Sequence, residues 1–247
     1  MKVNPIDMIS KNEAKYIQSL FHKKNRDEEG LFIAEGVKFV NELLQSNFTV
    51  RKLYATPAWA QHHKYKQPVT IVEDYELKKI SQLATPNQVL AVVEQRKLSA
   101  QPSLQQKITL VTDGIQDPGN LGTIIRIADW FGIHQIVASS DTVDLYNNKT
   151  IQSTMGSIIR VNIWYTHLEE WLPTCNIPVY GALLNGKNIY GFTGIKEGII
   201  VIGNESKGIR ENLLPFINHA VTIPKKGGAE SLNAAVATGI ILSHLLK

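Results

Sequence analysis

One cysteine, Cys175, is all the 247-residue chain holds, which excludes an internal disulfide framework and any zinc site built from clustered cysteines. No apolar run approaches the ~20 residues of a membrane-spanning helix, and the opening MKVNPIDMISKNEAK lacks the hydrophobic stretch of a signal peptide. Neither HExxH nor GxSxG occurs, and the seven histidines include no pair at metal-ligand spacing. His62-His63 reads as a surface turn. Repeats and low-complexity tracts are absent. The expectation is a cytoplasmic protein with no membrane partner, no metal and no serine-hydrolase chemistry.

What is present is the composition of an ordinary folded protein, 43% hydrophobic and 19% charged, long enough for one large α/β domain or two smaller ones. The formal charge of +4 is unevenly placed. Residues 1–106 hold 15 Lys and Arg against 11 Asp and Glu, and residues 107–247 hold 11 against 11, so the whole excess lies in the first part. A basic module beside a neutral one suits a polyanion-binding appendage on a catalytic body; a solvated lysine-rich surface is the plain alternative.

RKLSAQPSLQQK, polar and containing Pro102, reads as a linker and divides the chain into residues 1–95, a linker at 96–106 and residues 107–247. In the first part Ile9, Ala14, Ile17, Leu20 and Phe21 recur at helical spacing. LFIAEG, VRKLYAT, VTIVE and QVLAVVE then read as strands, with VKFVNELLQ and YELKKISQL as helices. In the second part ITLVTD, QIVAS, RVNIWY, PVYGALL, GIIVIGN and HAVTIP are strand-length apolar runs. They alternate with the helical candidates LGTIIRIADWFG, NKTIQSTMG, LEEWLPT, RENLLPFIN and SLNAAVATGIILSHLLK. That alternation predicts an α/β domain with a parallel sheet, whose ligands bind at the carboxyl ends of the strands.

Three loops fall at such ends. In DGIQDPGNLGTIIR, Asn120 reads as a helix cap, with Gly122 in the first turn and Arg126 about one and a half turns on, among Ile124, Ile125 and Ile127. In VIGNESKGI, Gly203 allows a ligand close to the backbone, Gly208 permits a left-handed turn, and Glu205 is a carboxylate beyond a buried strand. In PKKGGAESLNAA (residues 224–235), Ser231 reads as the cap of the last helix, where Ala234, Ala235, Ala237 and Gly239 offer a face for close packing. Each loop alone has an ordinary structural reading. GALLNGKN fits a Walker A motif as far as Lys187, but Asn188 replaces the magnesium-binding hydroxyl and no helix follows, so a P-loop phosphotransferase is the weakest reading. GNLGTI is not a dinucleotide fingerprint.

In order and together, the three loops resemble the signature motifs of the SpoU (TrmH-type) RNA ribose 2′-O-methyltransferases of the SPOUT class. The carriers are Asn120, Gly122 and Arg126; then Gly203, Glu205 and Gly208; then Ile223, Pro224, Gly227, Ser231, Leu232 and Asn233. STMGSIIRV is also similar to a family segment. KKNRDEEGLFIAEGVKFVNELL, with Phe32, Glu35 and Gly36, resembles the family's small substrate-binding domain, itself akin to certain ribosomal proteins. There Lys23, Lys24 and Arg26 would meet RNA phosphates.

The resemblance implies a SPOUT-type parallel-sheet domain with a C-terminal trefoil knot, a homodimer, and S-adenosylmethionine as methyl donor. It implies that Leu183, Ile202, Gly203, Ile223, Ser231 and Leu232 hold that cofactor. It assigns Arg126 to activating the ribose 2′-hydroxyl, and Asn120, Glu205, Ser231 and Asn233 to orienting the site. Since arginine stays protonated, an electrostatic role for Arg126 is physically easier than that of a base. Lys225 stands where the family commonly has Met, and Ala235 where it commonly has Ser. The implied substrate is ribosomal RNA. Transfer RNA, or a non-catalytic RNA-binding or ribosome-assembly role on the same scaffold, is the alternative.

Overall fold

The computed structural model describes residues 8–63, 65–98 and 100–246; residues 1–7, at the start judged to lack a leader, and residues 64, 99 and 247 lie outside the described residues. The chain divides into two compact units, Met1–Lys97 with Tyr146–Ile151, and Leu98–Leu145 with Gln152–Lys247.

The first unit contains α1 (Lys11–Ser19), α2 (Lys23–Glu29), β1 (Leu31–Glu35), α3 (Val37–Leu44), β2 (Val50–Ala55), α4 (Pro57–His62), β3 (Val69–Ile71), α5 (Asp74–Ile80) and β4 (Val89–Glu94). Its sheet has the order β1-β4-β2-β3, with β4 antiparallel to both neighbours and β2 parallel to β3. The Ser10 hydroxyl accepts from the Glu13 amide and starts α1, whose Ile17 packs with Leu20, Ile33, Tyr54, Leu77, Ile80 and Leu90. Phe32, fully buried, lies against the rings of Phe48 and Tyr146. The Glu35 carboxylate is also inside, accepting from the Ser81 hydroxyl and the Gln82 amide; burial pushes its pKa up and those two bonds pull it back.

Two readings of this unit need correction. Arg26 is 4% exposed, and its guanidinium donates to the carbonyls of Leu20 at 3.0 Å and Phe21 at 2.8 Å. It ties α2 to the end of α1 and is not presented to RNA. Lys23 and Lys24 do face solvent, but each is paired along the helix, with Asp27 and Glu28. His62 and His63 do not make a free turn: Thr56 and Pro57 start α4, His62 ends it, and the His63 ring stacks on Trp59 at 4.8 Å.

The second unit contains β5 (Ile108–Asp113), α6 (Pro118–Trp130), β6 (Gln135–Ser139), β7 (Asn162–Thr166), α8 (Leu168–Trp171), β8 (Val179–Asn188), β9 (Gly198–Gly203), β10 (His219–Thr222) and α9 (Ala234–Leu245); α7 (Asn148–Thr154) begins in the first unit and ends here. Six parallel strands run in the order β10-β8-β9-β5-β6-β7. β6 is buried at every position, and β5 and β9 at all but one, which is why they read as unbroken apolar runs. Residues 100–106, expected as part of a linker, lie on this unit: Trp164 Nε1 donates to the Ala100 carbonyl and Gln135 Nε2 to that of Ser103, both at 2.8 Å. RENLLPFIN forms 3-10 turns (Glu211–Phe216) instead of an α-helix, since Pro215 has no N–H to continue one.

α6 and α9 run side by side in the same direction, joined at their first turns by Asn120 and Asn233 and further along by Ile127 and Gly239. A Cβ on Gly239 would stand 3.8 Å from Ile127 Cδ1, an ordinary contact, so close packing does not require the glycine. Gly239→Ala is therefore expected to stabilise the protein by about 0.5–1 kcal/mol through helix propensity, read as a higher midpoint in thermal or urea unfolding.

Candidate active site

All three loops singled out in the sequence lie at the carboxyl edge of the six-stranded sheet, after β5, β9 and β10. The strand pairing explains why: Asp113 at the end of β5 stands opposite Gly203 at the end of β9.

The first loop is built on Asp113, a buried carboxylate. It accepts from the Arg210 backbone amide at 2.8 Å and from its guanidinium Nε at 2.6 Å, and so clamps the far end of the second loop to β5. Arg210 Nη2 also lies 3.7 Å from Asp141, whose pKa is held down by the Ser139 hydroxyl and then by Arg210. Asn204 Nδ2 donates to the Gly114 carbonyl at 2.8 Å, a second tie between the loops. The Asn204 Oδ1 accepts from the amides of Ser206 and Lys207, folding residues 204–208 into a tight turn with Gly208 at φ +69°. A Cβ on Gly203 would fall 2.2 Å from the Gly208 carbonyl carbon. The missing side chain of that glycine makes room for the chain's own loop, which leaves only its main-chain groups to a ligand.

The helix after the first loop starts earlier than expected. Asp117 is the cap, its Oδ1 accepting from the Asn120 amide at 2.8 Å, with Pro118 at the first position. Asn120 is thereby inside the first turn, and its side chain is free for other work. Its Nδ2 donates to Glu205 Oε1, and its Oδ1 accepts from Asn233 Nδ2 at 2.8 Å. One amide thus joins all three loops. Asn233 in turn caps α9, accepting from the amides of Ala235 at 3.0 Å and Val236 at 3.2 Å. It takes the capping place expected for Ser231, because its carboxamide has an oxygen for the helix and a nitrogen left for Asn120.

Arg126 lies on the outer face of α6 with Thr123 and Trp130, opposite the buried Leu121, Ile124, Ile125 and Ala128. It has no hydrogen bond or ion pair among the described residues, and it does not touch the Asn120 network within this chain. Ser231 and Leu232 are exposed, and Ile223 is half-buried. Ile202 is inside the sheet, so it has only its main chain to offer a ligand.

β8 carries a feature the sequence did not announce. Ala220 of β10 pairs with Gly181, but the next residue, Val221, pairs with Lys187, so residues 182–186 bulge out of the sheet. Leu183 turns inward against the core, and Leu184 is 80% exposed. The segment fitting a Walker A spacing is therefore a bulged strand. Asp113, Arg210, Asn204 and Leu184 are the site residues that motif reading passed over. Asp113 left a signal, a carboxylate closing an apolar strand; the others left none.

A family model described as the SpoU rRNA methylase family matches residues 107–243, and one described as the MRM3-like substrate binding domain matches residues 11–91. The chain is 31% identical over 249 residues to the 23S rRNA (guanosine(2553)-2'-O)-methyltransferase RlmP of Bacillus subtilis, covering 97% of this chain and 98% of that one. Similar solved structures include a TrmH-family protein from Porphyromonas gingivalis, 34% identical with a TM-score of 0.86, covering 97% of this chain and 99% of that one. Another is an AdoMet-bound rRNA methyltransferase from Sinorhizobium meliloti, 30% identical with a TM-score of 0.83, covering 100% and 97%.

Proposed function

Because this chain belongs to the SpoU rRNA methylase family, we propose that it transfers a methyl group from S-adenosylmethionine to a ribose 2′-hydroxyl of ribosomal RNA. The observation that carries the reading is the carboxyl-edge network in which Asn120 bonds both Glu205 and Asn233 and so joins the three loops. The cofactor reading is supported by the AdoMet-bound relative and by what the loops offer. Leu184 and Leu232 are exposed apolar side chains suited to the faces of an adenine ring. The coil from Ile223 to Leu232 presents main chain, and a Cβ at Gly227 or Gly228 would meet nothing within 4 Å inside the chain. Ile202, Gly203, Ile223 and Ser231 would contribute backbone groups, and Leu183 would support the bulge from below.

The cofactor supplies an electrophilic methyl on a sulfonium sulfur. The protein must position the 2′-hydroxyl and stabilise the charge that develops on its oxygen. Arg126, permanently charged, exposed and without an ion pair among the described residues, is the group for that charge and for the adjacent phosphate. Glu205, Asn120 and Asn233 fix the three loops to one another, with Ser231 two residues before Asn233.

A homodimer goes with this reading. α9 is predominantly apolar, and Val236 on it, Leu232 before it and Trp130 (85% exposed) on α6 are left uncovered. A second copy covers such a surface and brings its own groups to the open face of α6. The trefoil knot of the C-terminal segment belongs to the same proposal and rests on the family resemblance. Residues 1–95 serve as the RNA-binding part and residues 107–247 as the knotted methyltransferase, acting in the cytoplasm; no helix among the described residues is long and apolar enough to cross a membrane.

The test is methyl transfer from labelled S-adenosylmethionine to ribosomal RNA taken from cells lacking the protein, followed by mapping of the 2′-O-methyl group. Label on one rRNA nucleotide, whose 2′-O-methyl group is missing in the deletion strain and present in the parent, is the expected result. Cofactor binding without transfer to rRNA but with transfer to tRNA would move the substrate. No cofactor binding at all would leave a non-catalytic RNA-binding protein.

A further inference from the structure

Of the groups that the family resemblance gave to RNA in the first unit, Arg26 is buried, and Lys23 and Lys24 each have an acidic partner along α2. Arg51 pairs with Glu94 and Lys52 with Glu13. Of the described lysines on α1 and α5, Lys11, Lys15 and Lys78 are the ones with no ion pair or hydrogen bond to another described residue, and all three are exposed.

They fall on neighbouring helices. Gln18 Nε2 donates to the Lys79 carbonyl at 2.7 Å, and Glu76 accepts from the Ile9 amide at 3.1 Å, so α1 lies along α5. Lys11, Lys15 and Gln18 form one stripe of α1, because residues three and four apart share a helix face. Tyr75, Lys78 and Lys79 form the matching stripe of α5. Tyr75 is 57% exposed, with the Lys79 ammonium 5.1 Å from its ring centre. Tyr16 is 42% exposed, its hydroxyl donating to Glu29 at 3.2 Å. The nearby acids are mostly engaged: Glu13 by Lys52 and Tyr54, Glu76 by Lys79 and the Ile9 amide. Glu73 and Asp74 at the start of α5 are the exposed exceptions.

We propose that α1 and α5 together form an RNA-binding surface, with Lys11, Lys15 and Lys78 on phosphates and Tyr75 stacked on an unpaired base. Free cations beside an exposed aromatic ring fit single-stranded or looped RNA, in which the backbone tracks charge and a splayed base covers the ring. The surface deepens the reading of an rRNA methyltransferase, since it names what grips the substrate away from the reacting ribose.

The experiment measures binding of the full chain to in-vitro-transcribed 23S rRNA across a salt series, alongside methyl transfer. Each phosphate contact contributes about 0.7–0.9 to the slope of log K against log salt, so Lys11→Ala/Lys15→Ala/Lys78→Ala should flatten it by about 2–3. Affinity at ~0.1 M salt should fall at least about tenfold, KM for RNA should rise, and kcat at saturating RNA should hold. Tyr75→Ala should weaken binding about tenfold without changing the slope, and Tyr75→Phe should retain it. Asp74→Asn should tighten binding, and Lys23→Ala/Lys24→Ala should leave it within about twofold. An unchanged slope in the triple variant, or an equal loss in the Lys23/Lys24 variant, overturns the surface. A wild-type chain that binds with the expected slope yet transfers no methyl group leaves the surface standing and removes the methyltransferase reading.

Discussion

Arg126→Ala is expected to lower kcat for methyl transfer by about 10²–10³-fold, while the protein stays folded and binds S-adenosylmethionine as before. The magnitude is that of removing one preorganised group from a developing oxyanion. The control is built into the fold: Arg126 is exposed and holds no ion pair among the described residues, so its removal leaves nothing buried and unsatisfied. Stability should stay within about 0.5 kcal/mol. Single-turnover transfer, isothermal titration with the cofactor and a thermal melt read the three quantities separately. Arg126→Lys keeps the charge but loses the planar fork, and should recover only part of the rate. A variant with full kcat would show that the arginine has no part in the chemistry, and a melting point lowered in step with activity would reassign it to the fold.

Asn120→Ala is expected to damage two things at once, and that separates it from Arg126. Among the described residues the amide links the second loop to the third, so its loss frees Glu205 on one side and Asn233 on the other. Asn233 keeps its cap on α9, because that work is done by its oxygen. Folding should therefore cost only about 1–2 kcal/mol, the price of two lost side-chain bonds in a partly exposed place. Cofactor affinity and kcat should both fall, each by about tenfold or more, since both loops line the proposed pocket. Asn120→Asp is the sharper variant. It replaces the donor facing Glu205 with a second carboxylate, and the like charges should weaken it further at neutral pH, with partial recovery as the pair takes up a proton in mild acid. An Asn120→Asp rate that does not respond to pH would show that the two groups do not meet in the working enzyme.

Much of the fold could be read in advance because the physics is local. Most of the strands are apolar runs, and β6 and β9 are so buried that no other reading suits them, whereas the second half of β8 is mostly polar and exposed. Helix ends were less legible, since several residues compete for each cap. Asp117 and Asn120 both suit the start of α6, as do Ser231 and Asn233 the start of α9. The deciding term in each case was a contact made more than 80 positions away.

The sequence by itself determined most of the elements, the parallel sheet and the three loops at its carboxyl edge, because apolar period, turn residues and motif spacing are written in neighbouring positions. Only the tertiary structure decided what each polar group in those loops does. It made Asn120 the joint of the site, gave Gly203 to the chain's own turn, and put Asp113 under Arg210. It also buried Arg26 and left Lys11, Lys15 and Lys78 in the open. A charge or an amide takes its role from the partner that desolvates or satisfies it, and that partner is chosen by how the chain packs, not by what stands next to it in line.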